Sequence, residues 1–170
     1  RYRDGVLRES GIYAKGKRNS TFTEYYQDGV TPRKETPMQQ GKIDGTVKTY
    51  FRNGKIEAEK EYKQSVESGR ERRFDSKTGE QIFESHYIDG KKDGEEWEIF
   101  EDASTLRSRI IRHYRNGKLD GSYRVESTRD GKPYITIEGQ YTDGEKSGQW
   151  IEHNYDNNTQ TCTWHGEGGA

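Results

Sequence analysis

The sequence predicts an all-β fold. The expected architecture is one elongated, single-layer antiparallel meander of β-hairpin repeats with about twelve strands, because each half-repeat of 11 to 14 residues fits one strand and one turn. Three observations carry this. Paired glycines recur in the form G-x-x-x-G at Gly41/Gly45, Gly90/Gly94, Gly117/Gly121 and Gly144/Gly148, with degraded copies at Gly16/Ser20 and Ser65/Gly69. The first anchors of these pairs lie 25, 24, 25, 27 and 27 residues apart. An aromatic side chain stands three residues before each turn, at eleven of thirteen positions. No segment carries a capped apolar stripe of helical period.

Along the chain, the marks begin with Tyr2 before Gly5, Tyr13 before Gly16 and Tyr26 before Gly29. Met38 before Gly41 lacks the ring, and Phe51 before Gly54 restores it. Tyr62, Phe74, Tyr87 and Phe100 precede Ser65, Lys77, Gly90 and Ala103. Tyr114, Thr128, Tyr141 and Tyr155 then precede Gly117, Gly131, Gly144 and Asn158. Seven of the thirteen turns contain Asp-Gly or Asn-Gly, which accept the positive φ angles of a tight hairpin. Asp44-Gly45, Asp93-Gly94 and Asp120-Gly121 open the strands that follow. Between turns, Ile135, Ile137, Gly139 and Tyr141 alternate onto one strand face, as do Tyr123 and Val125. The repeated aromatic is expected to end a strand and stack into a ladder. The first glycine makes the turn. The second is expected to leave room for that ring to lie flat.

Composition limits what the fold can do. Only 26% of residues are hydrophobic and 35% are charged, yet aromatics reach 12%. The fold should therefore bury a thin aromatic layer instead of a thick aliphatic core. Net charge is −1, which implies no general polyanion partner, so no nucleic acid is expected. Charge is uneven, however. Residues 89–102 carry seven acids against Lys91 and Lys92, and residues 1–40 carry eight bases against five acids. Either the polar surface is simply solvated, or these zones form a docking face. Cys162 is the single cysteine, so no intrachain disulfide is possible. No run of about 18 apolar residues occurs, so no membrane span is expected.

No catalytic residue, metal ligand or cofactor site is expected. The sequence holds no Walker motif, G-x-S-x-G elbow or H-E-x-x-H motif. His86 and His113 share one repeat position beside the aromatic, which marks them as ladder residues. Cys162-x-x-His165 is half a zinc site without a second pair. Glu95 and Glu96 are adjacent, so on a strand they point to opposite faces and cannot work together as acid and base.

The pattern GKxDGxxxxYxxNGKxxxxxxY resembles the bacterial variant of the MORN repeat, over roughly residues 2–155. "DGTVKTYFRNGKIEAEKEY", from Asp44 to Tyr62, is a close instance. The chain is similar to the YwqK-like family of toxin–antitoxin antitoxins and immunity proteins. The resemblance implies a single repeat domain over 1–170, with repeats to about residue 158 and a tail at 159–170. It implies a non-catalytic module that clasps a cognate bacterial toxin and blocks its active site, as some such proteins do to secreted lipase-type effectors. A structural scaffold, or a lipid- or nucleic-acid-binding repeat, is the other reading. A monomer bound to its partner is expected. The chain begins at Arg1, which fits a mature or trimmed form, and the periplasm is expected over the cytoplasm. Residues 30–40 and 101–108 depart from the repeat, and distorted loops there would be either contact elements or neutral drift. Binding on such a sheet would come from aromatic anchors with charged neighbours. The candidates are Trp97, Trp150, Tyr123 and Tyr134, with the acidic group Glu95, Glu96, Glu98 and Asp102.

Overall fold

The computed structural model describes residues 1–101, 107–129, 132–154 and 158–166. Every element among them is a β-strand, and the sheets are open antiparallel meanders of hairpins. The chain forms two compact units, Arg1–Gly90 and Lys91–Ala170.

Unit 1 begins with β1 (Tyr2–Arg3), β2 (Val6–Leu7), β3 (Glu9–Ser10), β4 (Tyr13–Ala14), β5 (Lys17–Arg18) and β6 (Thr21–Tyr25). It continues with β7 (Pro32–Gln39), β8 (Lys42–Ile43), β9 (Gly45–Tyr50), β10 (Ile56–Lys63), β11 (Val66–Phe74) and β12 (Gln81–Ile88). Its sheet runs β3-β6-β7-β9-β10-β11-β12. Unit 2 holds β13 (Lys91–Lys92), β14 (Gly94–Glu101), β15 (Arg107–Arg115), β16 (Lys118–Arg129), β17 (Lys132–Thr142), β18 (Glu145–Asn154) and β19 (Thr159–His165). Its sheet runs β14-β15-β16-β17-β18-β19. Two expectations change here. Most of the Pro-containing segment 30–40 is strand and not loop, since β7 pairs with β6, with one register shift between Glu24 and Tyr25, and with β9 at Lys34 and Glu35. The segment from Thr159 is not a loose tail, because β19 pairs with β18 over seven residues. The other departure falls largely on 102–106, outside the described residues.

The turns follow the Asp-Gly and Asn-Gly chemistry. Asn116 and Gly117 sit at φ 51° and 86° between paired Arg115 and Lys118. Two successive positive φ angles match the right-handed strand twist. Successive turns are also tied to each other within each unit. In unit 1, the Ser65 amide donates to the Ile43 carbonyl at 2.7 Å and the Gly90 amide to Glu67 at 2.9 Å. In unit 2, Gly117 and Gly144 donate to Lys92 and Leu119, both at 2.8 Å. The strand-opening aspartates join this ladder. Asp44 accepts from the Gln64 amide at 3.3 Å, and Asp93 from the Asn116 amide at 3.0 Å.

The second glycine serves a bulge, not a ring. Register skips where Tyr62 pairs with Glu67 and Lys60 with Glu71, leaving three residues opposite one. Gly69 lies in that bulge at φ 108°, and Gly121 holds the matching place in β16 at φ 118°. Such an angle is one that only glycine adopts cheaply. An added Cβ at Gly121 would stand 3.0 Å from His113 Cβ, the residue before the aromatic Tyr114. Rings do lie over glycines, but elsewhere: Phe22 over Gly11 and Trp150 over Gly139.

Paired residues share a sheet face, and so do alternate residues along a strand. By that register, the eleven buried residues among those described lie on one face of their own unit's sheet. The packed face has a repeat position of its own. Six residues after the anchors at 16, 41, 65, 90, 117 and 144 stand Phe22, Val47, Glu71, Glu96, Tyr123 and Trp150. Five of these are buried, and Tyr123 is half-buried. The outer copies are apolar or aromatic, whereas the two middle ones are glutamates.

Candidate partner-binding face

Each middle glutamate is held by cations and a tyrosine. In unit 1, Glu71 lies 3.0 Å from Lys60 Nζ and 2.8 Å from Arg73, and it accepts from the Tyr87 hydroxyl at 3.1 Å. Lys60 also sits 4.3 Å over the Tyr87 ring. Burial alone would push the Glu71 carboxyl up, but the hydrogen bonds from Arg73 and Lys60 together hold it below its usual range. Burial likewise opposes the Lys60 charge, yet Glu67 and Glu71 hold it above the usual range. Burial first, and then Glu71, pushes the Tyr87 hydroxyl up to about 12. In unit 2, Glu96 is 1% exposed, contacts Lys92 and lies 3.4 Å from Arg112.

The Glu71 cluster sets an expected pH dependence. A depressed carboxyl contributes stability above the ordinary glutamate value of about 4.3, and that contribution is lost as pH falls through the folded value. Glu71→Gln should therefore melt lower than the parent at neutral pH, and the gap should close in acid. Thermal melts at stepped pH measure this; a gap that stays constant into acid would remove the carboxylate from the account.

The structure splits the sequence candidates between two faces. Glu96, Glu98, Tyr123, Tyr134 and Trp150 lie on the packed face of unit 2, where Glu96 pairs with Arg112, Arg112 with Tyr123 and Tyr134 with Ser127. Trp150 is 4% exposed, with its ring 5.3 Å from Tyr123 and 5.2 Å from Tyr141. Glu98 holds Arg112 at 2.9 Å. Glu96 and Trp150 are thus internal and present no contact surface. Glu95 and Trp97 point to the open face instead. Asp102 lies outside the described residues. The acidic run is therefore not one docking face: alternation sends its carboxylates both ways, and the inward Glu96 is neutralised within the sheet.

What register assembles on the open face is a row that spacing alone did not reveal. Trp97 pairs with Ile111, Ile111 with Arg124, Arg124 with Glu138, Glu138 with Ile151, and Ile151 with Cys162. The Arg109 guanidinium lies 4.5 Å over the Trp97 ring. Beside the row, Glu95 stands 3.7 Å from His113. A hollow of about 250 Å³ lies along it, lined by Arg124, Glu138, Ile151, Ser122 and Gln149 among others. The signal for this row was the hairpin turns, which fix strand pairing and hence which side chains meet.

Unit 1 builds its open face differently. Glu35, Lys48, Glu59, Arg72 and Glu84 pair in sequence across five strands with alternating sign. Arg72 meets Glu59 at 2.8 Å, and Lys48 meets it at 3.5 Å. Half-exposed pairs of this kind contribute about 0–1 kcal/mol each. They largely offset one another along the row. Among the described residues, no group of three or more His, Cys, Asp or Glu is placed to hold a metal ion. Among the same residues, no helix is long and apolar enough to cross a membrane.

No protein-family model matches the chain, and no curated protein matches it.

Proposed function

We propose that this chain is a non-catalytic protein-binding module, an immunity protein or antitoxin that occludes a cognate bacterial toxin through the open face of unit 2. The observation that carries this is the Trp97 row. A tryptophan capped by Arg109 stands beside Ile111, with ions and a small hollow further along. Tryptophan and arginine dominate binding energy where they fill partner pockets, and a hollow beside them takes a partner's side chain in return. The resemblance to antitoxin repeats supplies the kind of partner, an enzyme whose active site is blocked. Glu95, on the same face beside His113, suits a toxin with a basic catalytic mouth and would speed encounter.

The test is inhibition, not capture alone. The chain is immobilised, the lysate and secreted fraction of its source are passed over it at moderate salt, and the retained protein is identified and assayed. One stoichiometric enzyme, inhibited by the chain, is expected. Trp97→Ala should weaken binding by about 2 kcal/mol, or roughly thirtyfold, and Glu95→Lys should chiefly slow association. Retention of lipid or nucleic acid in place of an enzyme would sink the reading, as would a captured enzyme whose activity is untouched.

A further inference from the structure

Unit 2 ends in a strand whose outer edge pairs with no other strand among the described residues. β19 reads Thr159-Gln160-Thr161-Cys162-Thr163-Trp164-His165 and carries no Lys, Arg, Asp, Glu or Pro. Edge strands of soluble proteins are ordinarily kept apart by short length, charge, proline or bulges. The terminal strand of unit 1's sheet shows that protection: β3 has two residues, one of them Glu9. β19 shows none of it. Its seven residues pair with β18 in unbroken register, from Gly148 with His165 to Asn154 with Thr159. Trp164 is 63% exposed and Cys162 is exposed. The composition is that of a strand built to be paired on both sides.

We propose that the β19 edge pairs antiparallel with β19 of a second copy of this chain, centred on Cys162. The sequence around that centre is self-complementary. In this register Cys162 faces Cys162 of the second copy, and Thr161 faces Thr163 twice over, by symmetry. Threonine pairs are among the favourable cross-strand pairs, and no like charges meet. An isologous two-fold contact needs this kind of self-match. It would also continue the Trp97-to-Cys162 row across the axis into its copy. This dimer would replace the monomer expected with the resemblance. The inference stands apart from the toxin reading, since either can fail alone.

Sedimentation velocity of the full chain over a wide concentration range tests it. A reversible dimer is expected, and diamide, a thiol oxidant, should trap it through Cys162. Two charge variants at exposed positions read the register. T161K/T163K sets lysine against lysine at both symmetric pairs, and the dimer dissociation constant should rise about tenfold or more. T161K/T163E sets lysine against glutamate at the same pairs and should keep the dimer, which also shows that substitution here does not unfold the strand. A chain that is monomeric at every concentration overturns the proposal and leaves this edge to a strand from another protein. A dimer indifferent to both variants also overturns it, by placing the contact elsewhere.

Discussion

Replacing Gly139 with alanine should destabilise unit 2 by about 3 kcal/mol, at the upper end of what overpacking a filled site costs. The reason is local. A Cβ at this position would stand 2.3 Å from Trp150 Cδ2 and 2.4 Å from Cε2. The indole has nowhere to go. It lies against Tyr123 and Tyr141, carries the Lys146 ammonium 4.1 Å over its ring, and donates from Nε1 to the Gln140 carbonyl at 3.1 Å. Gly139 does not hold a left-handed angle, so the effect is contact and not backbone strain. Gly144→Ala is the control. Its φ is +96° with nothing within 4 Å, so it should lose only about 1 kcal/mol of stability, to backbone strain alone. Denaturant melts with near-UV circular dichroism would separate the two. G139A should also lose the Trp150 signal in the native baseline. If G139A costs no more than G144A, the close approach is not what fixes this glycine.

That contrast shows what the sequence could and could not reveal. The anchors of the glycine pairs and the Asp-Gly turns were legible because turn chemistry is local, and four residues suffice to set it. All-β architecture followed from their spacing. The role of the second glycine is not legible in the sequence because its neighbour across the ladder is set by a bulge, and a bulge appears only when two strands are paired. The packed position six after each anchor hid for another reason. It carries Phe22, Val47, Tyr123 and Trp150 in four repeats but Glu71 and Glu96 in the other two, so an apolar pattern search breaks at the middle. The candidate site suffered likewise. Trp97 and Glu95 were found from residue type, but their companions Ile111, Arg124 and Ile151 come from three other strands. Counting acids along 89–102 gave a net excess without a direction. Alternation then sent Glu95 outward and Glu96 inward.

Glu96 therefore makes the sharpest test of which carboxylates serve the fold and which serve a partner. Glu96→Leu alone should cost about 2–3 kcal/mol, because removing one member of a buried ionic group strands the others. The figure sits below the range for fully buried pairs, since the Lys92 and Arg112 side chains remain 30% and 23% exposed. Arg112 keeps Glu98 at 2.9 Å, so the stranded charge is chiefly Lys92. Adding Lys92→Leu should then recover most of the loss. Leucine at 96 matches the apolar residues at the equivalent place in other repeats, and a well-packed apolar replacement of a buried ionic group is often neutral or stabilising. Denaturant melts of the four proteins in this cycle should give a coupling of about 1–2 kcal/mol. Strict additivity would mean that Glu96 and Lys92 do not hold each other. The same double variant also speaks to function. Folded, and lacking both charges, it should bind the partner as the parent does, because neither group faces the Trp97 row. Glu95→Lys, one residue away on the open face, should weaken binding while leaving stability within about 0.5 kcal/mol, as surface changes do. Weakened binding in the folded double variant, with Glu95→Lys without effect, would move the partner to the packed face and overturn the open-face assignment.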